Sequence, residues 1–125
     1  MKRTSAKAVP ERAAVLTKAT LEAANLLGLK DTELASVIGV SAPTVSRYRS
    51  GTSELDPEHK AGELALLLIR LFRSLDPLVG SDSAKRKVWI HTRNAALGSV
   101  PATLIRNPEG LVRTLAYVDG MRAPA

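Results

Sequence analysis

Apolar positions recur every three or four residues along most of this chain, the spacing that places side chains on one face of an α-helix. No stretch of five or more residues alternates β-branched with polar positions, which is the pattern of a half-buried strand. Aromatic residues make up only 3% of the 125 residues. The pattern therefore predicts an all-α protein.

The first helix is predicted to begin at Pro10 and Glu11, because a proline and an acid are favoured in a first helical turn. It is expected to end at Leu27, before Gly28. Residues 1–10 are predicted to form a flexible basic tail. The apolar stripe of this helix consists of Leu16, Ala19, Ala23 and Leu27.

The longest predicted helix is expected to connect two halves of the protein. Asp56, Pro57 and Glu58 supply a cap, a proline and an acid at its start. Asp76–Pro77 is expected to stop it after Leu75. Its apolar residues cover more than one face, so we expect burial from two sides. We interpret the helix as a spine between the halves, and a dimerisation element is the alternative.

A basic helix is predicted over residues 81–93. Its apolar positions, Ala84, Val88 and Trp89, are expected to face inward. The run Lys85–Lys87 is expected to form a solvated outer face, with contact to DNA or to an acidic protein as alternatives.

The C-terminal end is predicted to hold a short helix over 101–106 and a final helix that begins at 107–109 and ends at Gly120. The final helix must bury one apolar face. That face is expected to consist of Leu111, Val112, Leu115, Ala116 and Val118.

Composition narrows the function classes. Eighteen basic residues against twelve acidic ones give a formal net charge of +6, which favours a polyanionic partner. The absence of cysteine excludes disulfide frameworks and thiol catalysis. The longest apolar run, 64–69, is too short to span a bilayer. We therefore expect a cytoplasmic protein without a membrane partner.

Residues 31–49 fit the helix-turn-helix template. Ala35 is the small residue required where two helices cross, and Gly39 is a turn residue that tolerates positive φ. The second helix follows Ser41, a good N-cap. The apolar positions that would hold the two helices together are Leu34, Ile38, Val40, Val45 and Tyr48.

The outward positions of the second helix predict a recognition helix for the DNA major groove. Ser41 and Thr44 are expected to donate to phosphates, Arg47 to reach guanine or phosphate, and Arg49 to serve the DNA backbone. The predicted DNA-binding residues are Ser41, Ala42, Pro43, Thr44, Ser46, Arg47 and Arg49.

Ala42 and Pro43 offer no hydrogen bond to base edges. They are expected to touch a thymine methyl or to contribute shape complementarity, so modest sequence discrimination is predicted for each monomer. A helical hairpin that only packs a core is the alternative to DNA contact.

This first half resembles the Xre (Cro/repressor-like) helix-turn-helix group. The chain departs from it at Lys30, where the group often has a capping Thr, Ser or Asn, and Asp31 is expected to substitute. The resemblance is carried by Gly28-Leu29, Leu34-Ala35, Gly39-Val40-Ser41 and the run from Thr44-Val45-Ser46-Arg47 to Gly51.

The second half resembles the toxin-binding domain of Xre/MbcA/ParS-like antitoxins. One departure is Ser99, where a glycine is common in the family. The order that carries the resemblance is Trp89, Asn94-Ala95-Ala96-Leu97-Gly98-Ser99-Val100-Pro101, Leu104-Ile105 and Glu109-Gly110. The resemblance implies an antitoxin that binds a RES-domain toxin, an NAD⁺-consuming enzyme, and that represses its own operon.

The resemblance further implies that residues 111–125 lie over the active-site cleft of the toxin. The predicted toxin-binding residues are Arg113, Tyr117, Met121 and Arg122, which belong to types enriched in protein interfaces. Arg122 is a candidate to occupy an anion pocket of the toxin that would otherwise bind a phosphate.

The predicted organisation is a flexible tail over 1–10, a helix-turn-helix domain over 11–55, a connecting helix over 56–76 and a toxin-binding domain over 77–125. No catalytic motif, metal site or cofactor loop is found, so we predict a non-enzymatic protein without cofactors. A homodimer is expected on two-fold symmetric operator DNA. Two alternatives remain: a dimeric repressor without a toxin partner, and a toxin-binding inhibitor whose helix-turn-helix is not functional.

Overall fold

A computed structural model describes the backbone of residues 2–122 and the side chains of residues 11–122. This part of the chain contains seven helices: α1 (Lys2–Leu27), α2 (Asp31–Ile38), α3 (Ala42–Ser50), α4 (Lys60–Val79), α5 (Ser83–His91), α6 (Pro101–Leu104) and α7 (Pro108–Arg122). Its one β-type pairing is an isolated bridge between Asn94 and Ser99. The all-α prediction is confirmed.

Helix α4 lies at the centre of the molecule. It packs against α1 and α2 of the first half and against α5 and α7 of the second. Leu34 and Val45 from the first half belong to the same buried cluster as Leu68 from α4 and Leu111 from α7. Each of these side chains is fully buried, which contributes about 1.5–3 kcal/mol per residue. The prediction that this helix is buried from two sides is confirmed.

The bounds of α1 differ from the prediction. The helix begins at Lys2, so the predicted start at Pro10 is wrong. The residues before Pro10 include alanines and lysines, which favour helix, and a proline does not by itself fix where a helix begins. The flexible tail predicted over 1–10 lies outside the residues whose side chains the structure describes, so it stays a prediction.

Both predicted ends of α4 are wrong. The helix begins at Lys60, because Asp56 closes a turn instead: its side chain accepts from the Glu58 N–H at 2.8 Å and its carbonyl from the His59 N–H at 3.1 Å. At the other end the helix continues through Pro77 to Val79. A proline this near the end removes one helical hydrogen bond without stopping the helix.

The inward face predicted for α5 is wrong for Ala84 and Val88 and right for Trp89. Arg86 and Ile90 are the buried residues of this helix, whereas Ala84 and Val88 are exposed. Trp89 is half-buried and packs against the core. Arg86 is buried because Asp76 pairs with its guanidinium at 3.0 Å and the Phe72 ring lies 5.2 Å from its central carbon.

Helices α6 and α7 are close to the predicted elements. Helix α6 ends at Leu104 rather than at residue 106. Helix α7 begins at Pro108 as predicted but continues past Gly120 to Arg122, because Gly120 keeps a helical backbone. Its buried face was predicted partly wrongly: Val112 is 51% exposed and Ala116 is also exposed, whereas Thr114 is fully buried.

Candidate functional site

The two helices of the helix-turn-helix are held by the residues that the sequence predicted. Ala35 is buried, and the Val40 N–H donates to the Ala35 carbonyl at 3.0 Å. Gly39 adopts φ 74° and ψ 36°, the left-handed conformation that glycine accepts without strain. Val45 is fully buried and Tyr48 nearly so, which fixes α3 against α2. Burial raises the pKa of the Tyr48 phenol, and the nearby Arg47 charge partly opposes that shift.

The exposed face of α3 carries a continuous hydrogen-bonded row. The Ser41 side chain caps the helix by accepting from the Thr44 N–H at 3.2 Å. The Ser41 and Thr44 hydroxyls lie 2.8 Å apart, and Arg47 Nη2 donates to Thr44 Oγ1 at 3.0 Å. This row brings together three of the predicted DNA-binding residues. It orients Arg47 along the helix while keeping the residue exposed.

The other predicted DNA-binding residues have different surroundings. Ala42, Pro43 and Ser46 are exposed, with Pro43 in the first turn of α3. Arg49 instead turns back toward the preceding helices. Its Nε donates to both carboxylate oxygens of Asp31, at 2.9 and 3.1 Å, and its Nη2 donates to Asn25 Oδ1 at 3.0 Å.

Asn25 is therefore a site residue that the sequence analysis missed, and Asp31, which was expected to substitute for a cap at Lys30, is the first residue of α2 and pairs with Arg49 instead. Together with Arg49 they clamp the start of α2 and the end of α1 to the end of the recognition helix. The clamp also pairs the Asp31 carboxylate with a guanidinium, at 2.8 Å. The Asp31 carboxylate thus contributes little net negative charge to this face.

Glu33 is a further residue that the sequence analysis missed, and it links the two halves of the chain. Its carboxylate accepts from the Lys30 N–H at 2.8 Å, which closes the N-terminus of α2. The same carboxylate lies 3.7 Å from His91 Nε2 of α5 and 3.6 Å from Arg106 Nη2. The sequence signal is an acid three residues after the N-cap. That signal predicts the cap but not the contacts with His91 and Arg106.

Three of the four predicted toxin-binding residues, Arg113, Tyr117 and Met121, lie along one side of α7. Val112, Arg113, Ala116, Gly120 and Met121 are exposed, and Met121 is 57% exposed. Tyr117 is half-buried against the core. Spacings of three and four residues join these positions into a single stripe. The structure thus brings Arg113, Tyr117 and Met121 onto one exposed surface.

The two arginines of this set are tied to the rest of the chain. Arg113 Nη2 donates to the Leu97 carbonyl at 2.9 Å, across to the turn after α5. Arg122 Nη1 donates to Ser74 Oγ at 3.3 Å and lies 3.7 Å from Asp119 Oδ1. Arg122 therefore folds back over α4 rather than extending from the helix end.

Together, the fold and the site define an all-helical protein with a helix-turn-helix in its first half and a helical module with an exposed C-terminal stripe in its second. Comparison with protein families matches residues 8–70 to the antitoxin Xre-like helix-turn-helix domain. Residues 74–123 match the antitoxin Xre/MbcA/ParS C-terminal toxin-binding domain. The chain belongs to the Xre-like antitoxins, and the predicted resemblance is confirmed.

A comparison with curated proteins finds no significant match. In the part of the chain that the structure describes, no helix combines the length and the apolar character needed to cross a membrane.

Proposed function

We propose that this chain is the antitoxin of a type II toxin–antitoxin system. It neutralises a RES-type, NAD-consuming toxin by covering the active site, and it binds operator DNA to repress its own operon. The observation that carries the proposal is the union, in one chain, of an exposed polar recognition helix with a module of the toxin-binding family. The protein acts by binding rather than by catalysis, in the cytoplasm, where operator and toxin are both present.

On the DNA side, the row on α3 supplies the contacts. Ser41 and Thr44 are proposed to donate to phosphates, and Arg47 to reach a guanine edge or a phosphate. Ala42, Pro43 and Ser46 are proposed to lie against the groove, where the first two supply shape and methyl contacts. Arg49 uses Nε and Nη2 in its clamp, so Nη1 is the atom proposed for the DNA backbone.

On the toxin side, the stripe of α7 is proposed as the interface. Tyr117 and Met121 supply apolar contact area, and Arg113 borders it. Arg122 is proposed to enter an anion pocket of the toxin, which requires it to leave Ser74 and Asp119. Both contacts are single and partly exposed, so breaking them costs about 1 kcal/mol or less. Unchanged neutralisation by the Arg122→Ala variant would contradict this role.

A homodimer is proposed through a groove between α1 and α4. The groove encloses about 490 Å³ and contains two exposed apolar side chains, Val15 at 70% and Leu66 at 45% exposure. Its rim carries Glu11 together with Arg12 and Arg73. Because carboxylate and guanidinium are both present, two copies related by a two-fold axis can pair opposite charges across the groove.

The dimer surface is tested by light scattering after size-exclusion chromatography. Leu66→Glu places a charge in the groove and is expected to give a monomer, whereas Val88→Glu, at an exposed apolar position on α5, is expected to leave the dimer intact. Identical masses for the two variants and the parent would reject the groove as the dimer interface.

The antitoxin activity is tested by co-expression with the product of the adjacent gene. Growth rescue together with co-purification supports toxin neutralisation, and Met121→Glu is expected to lose both. Growth arrest without rescue, or a neighbour that is not toxic, would favour a dimeric repressor without a toxin partner.

The DNA activity is tested by a gel shift with the promoter of the operon over a range of salt concentrations. Arg47→Ala is expected to weaken binding by about 1–3 kcal/mol if Arg47 reads a base, while neutralisation is retained. Lys60→Ala, which removes one exposed positive charge at the start of α4, serves as the control. Rescue by a parent protein that does not shift the promoter would instead favour an inhibitor with a non-functional helix-turn-helix.

A further inference from the structure

The start of α2 lies beside the recognition helix. In helix-turn-helix proteins the first helix of the motif crosses the DNA backbone while the second enters the major groove. Here the Arg49 clamp holds Asp31, the first residue of α2, and Asn25, near the end of α1, to α3. The turn between α1 and α2, which contains Gly28 and Lys30, is therefore placed on the side of the molecule that faces phosphates.

The second half of the chain packs on this same turn. A Cβ atom added to Gly28 would lie 2.9 Å from Cγ of Lys87 and 3.1 Å from its Cδ. The aliphatic stem of Lys87, on α5, thus runs directly over the turn, while the residue as a whole is exposed. Arg106, which follows α6, reaches Glu33 in the first turn of α2 with its side chain 49% exposed.

The charge around this turn is positive. Lys30, Lys87 and Arg106 are exposed cations that border the turn. Glu33 is the carboxylate among them, with its side chain only 11% exposed. His91, the last residue of α5, has its Nε2 3.7 Å from the Glu33 carboxylate and its Nδ1 3.0 Å from the Lys87 carbonyl oxygen. Asp31 is paired with Arg49, so it does not cancel the charge of these cations.

We propose that Lys87 and Arg106 extend the DNA-binding surface onto the toxin-binding half of the chain, where they contact backbone phosphates next to the recognition helix. The ligand is double-stranded DNA, recognised through its phosphates and not through its bases. The inference rests on the proposed DNA-binding function. The inference adds that the two halves of the chain share a single DNA footprint. Helix α5 and the α6–α7 connection form one edge of that footprint.

The test compares two lysines of the same helix. Lys87→Gln removes the charge over the α1–α2 turn, whereas Lys85→Gln removes the same charge from a groove lined by Val79, Val88 and Trp89. Binding is measured by fluorescence anisotropy at several salt concentrations. The probes are a short labelled duplex from the promoter of the operon and a scrambled duplex of equal length. Lys87→Arg restores the charge at the first position.

For Lys87→Gln we expect weaker binding to both duplexes and a salt slope of log K reduced by about 0.9, the value for one lost phosphate contact. Arg106→Gln is expected to do the same, and Lys85→Gln to match the parent. Lys87→Arg is expected to restore the slope. Thermal melting of each variant verifies that the fold is retained.

Three outcomes overturn the proposal. Equal slopes for Lys87→Gln and the parent show that α5 makes no phosphate contact, while parental DNA binding and the proposed function stand. Equal losses for Lys85→Gln and Lys87→Gln show a general charge effect rather than a located contact. Failure of the parent to bind either duplex removes the proposed DNA-binding function together with this inference.

Discussion

Arg49 and Asp31 form a two-pronged ion pair between the end of α3 and the start of α2, with Nε donating to both carboxylate oxygens and Nη2 2.8 Å from Oδ1. Because side-chain exposures are 33% and 42%, solvent screens the pair only in part. We expect Arg49→Ala and Asp31→Ala each to lower the free energy of unfolding by about 0.5–1 kcal/mol, and the double variant to lose little more. Urea denaturation of the three variants measures this coupling.

The same variants separate the clamp from DNA contact. Asp31→Ala removes the partner but leaves the Arg49 charge, so DNA affinity is expected to fall less for Asp31→Ala than for Arg49→Ala if Nη1 reaches phosphate. Additive losses of stability in the double variant would show that the two side chains act independently in solution.

Thr17 ties the loop before α4 to α1. Its hydroxyl accepts from the Leu55 N–H at 2.7 Å and donates to the Ala13 carbonyl at 2.7 Å, and both Thr17 and Leu55 are buried. Thr17→Val keeps the shape but leaves a buried N–H without its acceptor. We expect a loss of about 1–3 kcal/mol in the free energy of unfolding, measured by urea denaturation.

Thr20 provides the matched control on the same helix. It is fully buried, and its hydroxyl donates only to the Leu16 carbonyl at 2.7 Å, within α1. Since Thr20→Val orphans no backbone donor, its cost is expected to be clearly smaller. If Thr20→Val lowered the free energy of unfolding as much as Thr17→Val, the hydrogen bond from the Leu55 N–H would contribute nothing beyond the loss of a buried hydroxyl.

The helix-turn-helix could be predicted because its determinants are local. Ala35, Gly39 and Ser41 occupy fixed positions within one short segment, and each has a conformational reason to be there. The structure confirms the left-handed Gly39 and the Ser41 cap. The DNA-contact roles of the residues on α3 remain predictions.

The orientation of α5 could not be predicted, because its cause is not local. A run of three basic residues is typical of a solvated face, yet Arg86 is 5% exposed. Arg86 is buried because its guanidinium pairs with Asp76 and lies over the Phe72 ring, and both of these residues are on the previous helix, α4. Pairing of this kind depends on how two helices cross, and the periodicity of one helix contains no such information.

Glycines at two positions of α7 predict opposite responses to the same substitution. A Cβ at Gly110 would collide with the Leu104 carbonyl oxygen, whereas a Cβ at Gly120 would meet nothing within 4 Å. We expect Gly110→Ala to destabilise the fold by about 1–3 kcal/mol through overpacking. Gly120→Ala is expected to stabilise it by up to about 1 kcal/mol, since alanine is the better helix former.

Thermal melting of both glycine variants measures the difference directly. Equal melting temperatures would show that α7 can move away from the α6 end without cost. Toxin co-purification should be monitored for Gly120→Ala, because the added methyl group lies on the proposed interface stripe.

Tyr48 gives the fold a predictable response to alkaline pH. Burial raises the pKa of the phenol above its ordinary value of 10.0, with the charge of Arg47 opposing the shift. A raised pKa in the folded state means that ionisation is easier in the unfolded chain. Stability from the neutral phenol is therefore complete below pH 10 and declines as the pH rises above it.

Tyr48→Phe lacks the ionisable group, so we expect parent and variant to have similar stability at pH 7 and the parent to lose stability relative to the variant above pH 10. Urea denaturation of both proteins at pH 7 and above pH 10 isolates the effect of Tyr48, because every other ionisable group is common to both proteins. A difference between parent and variant that stays constant with pH would show that the phenol ionises as readily in the folded protein as in the unfolded chain.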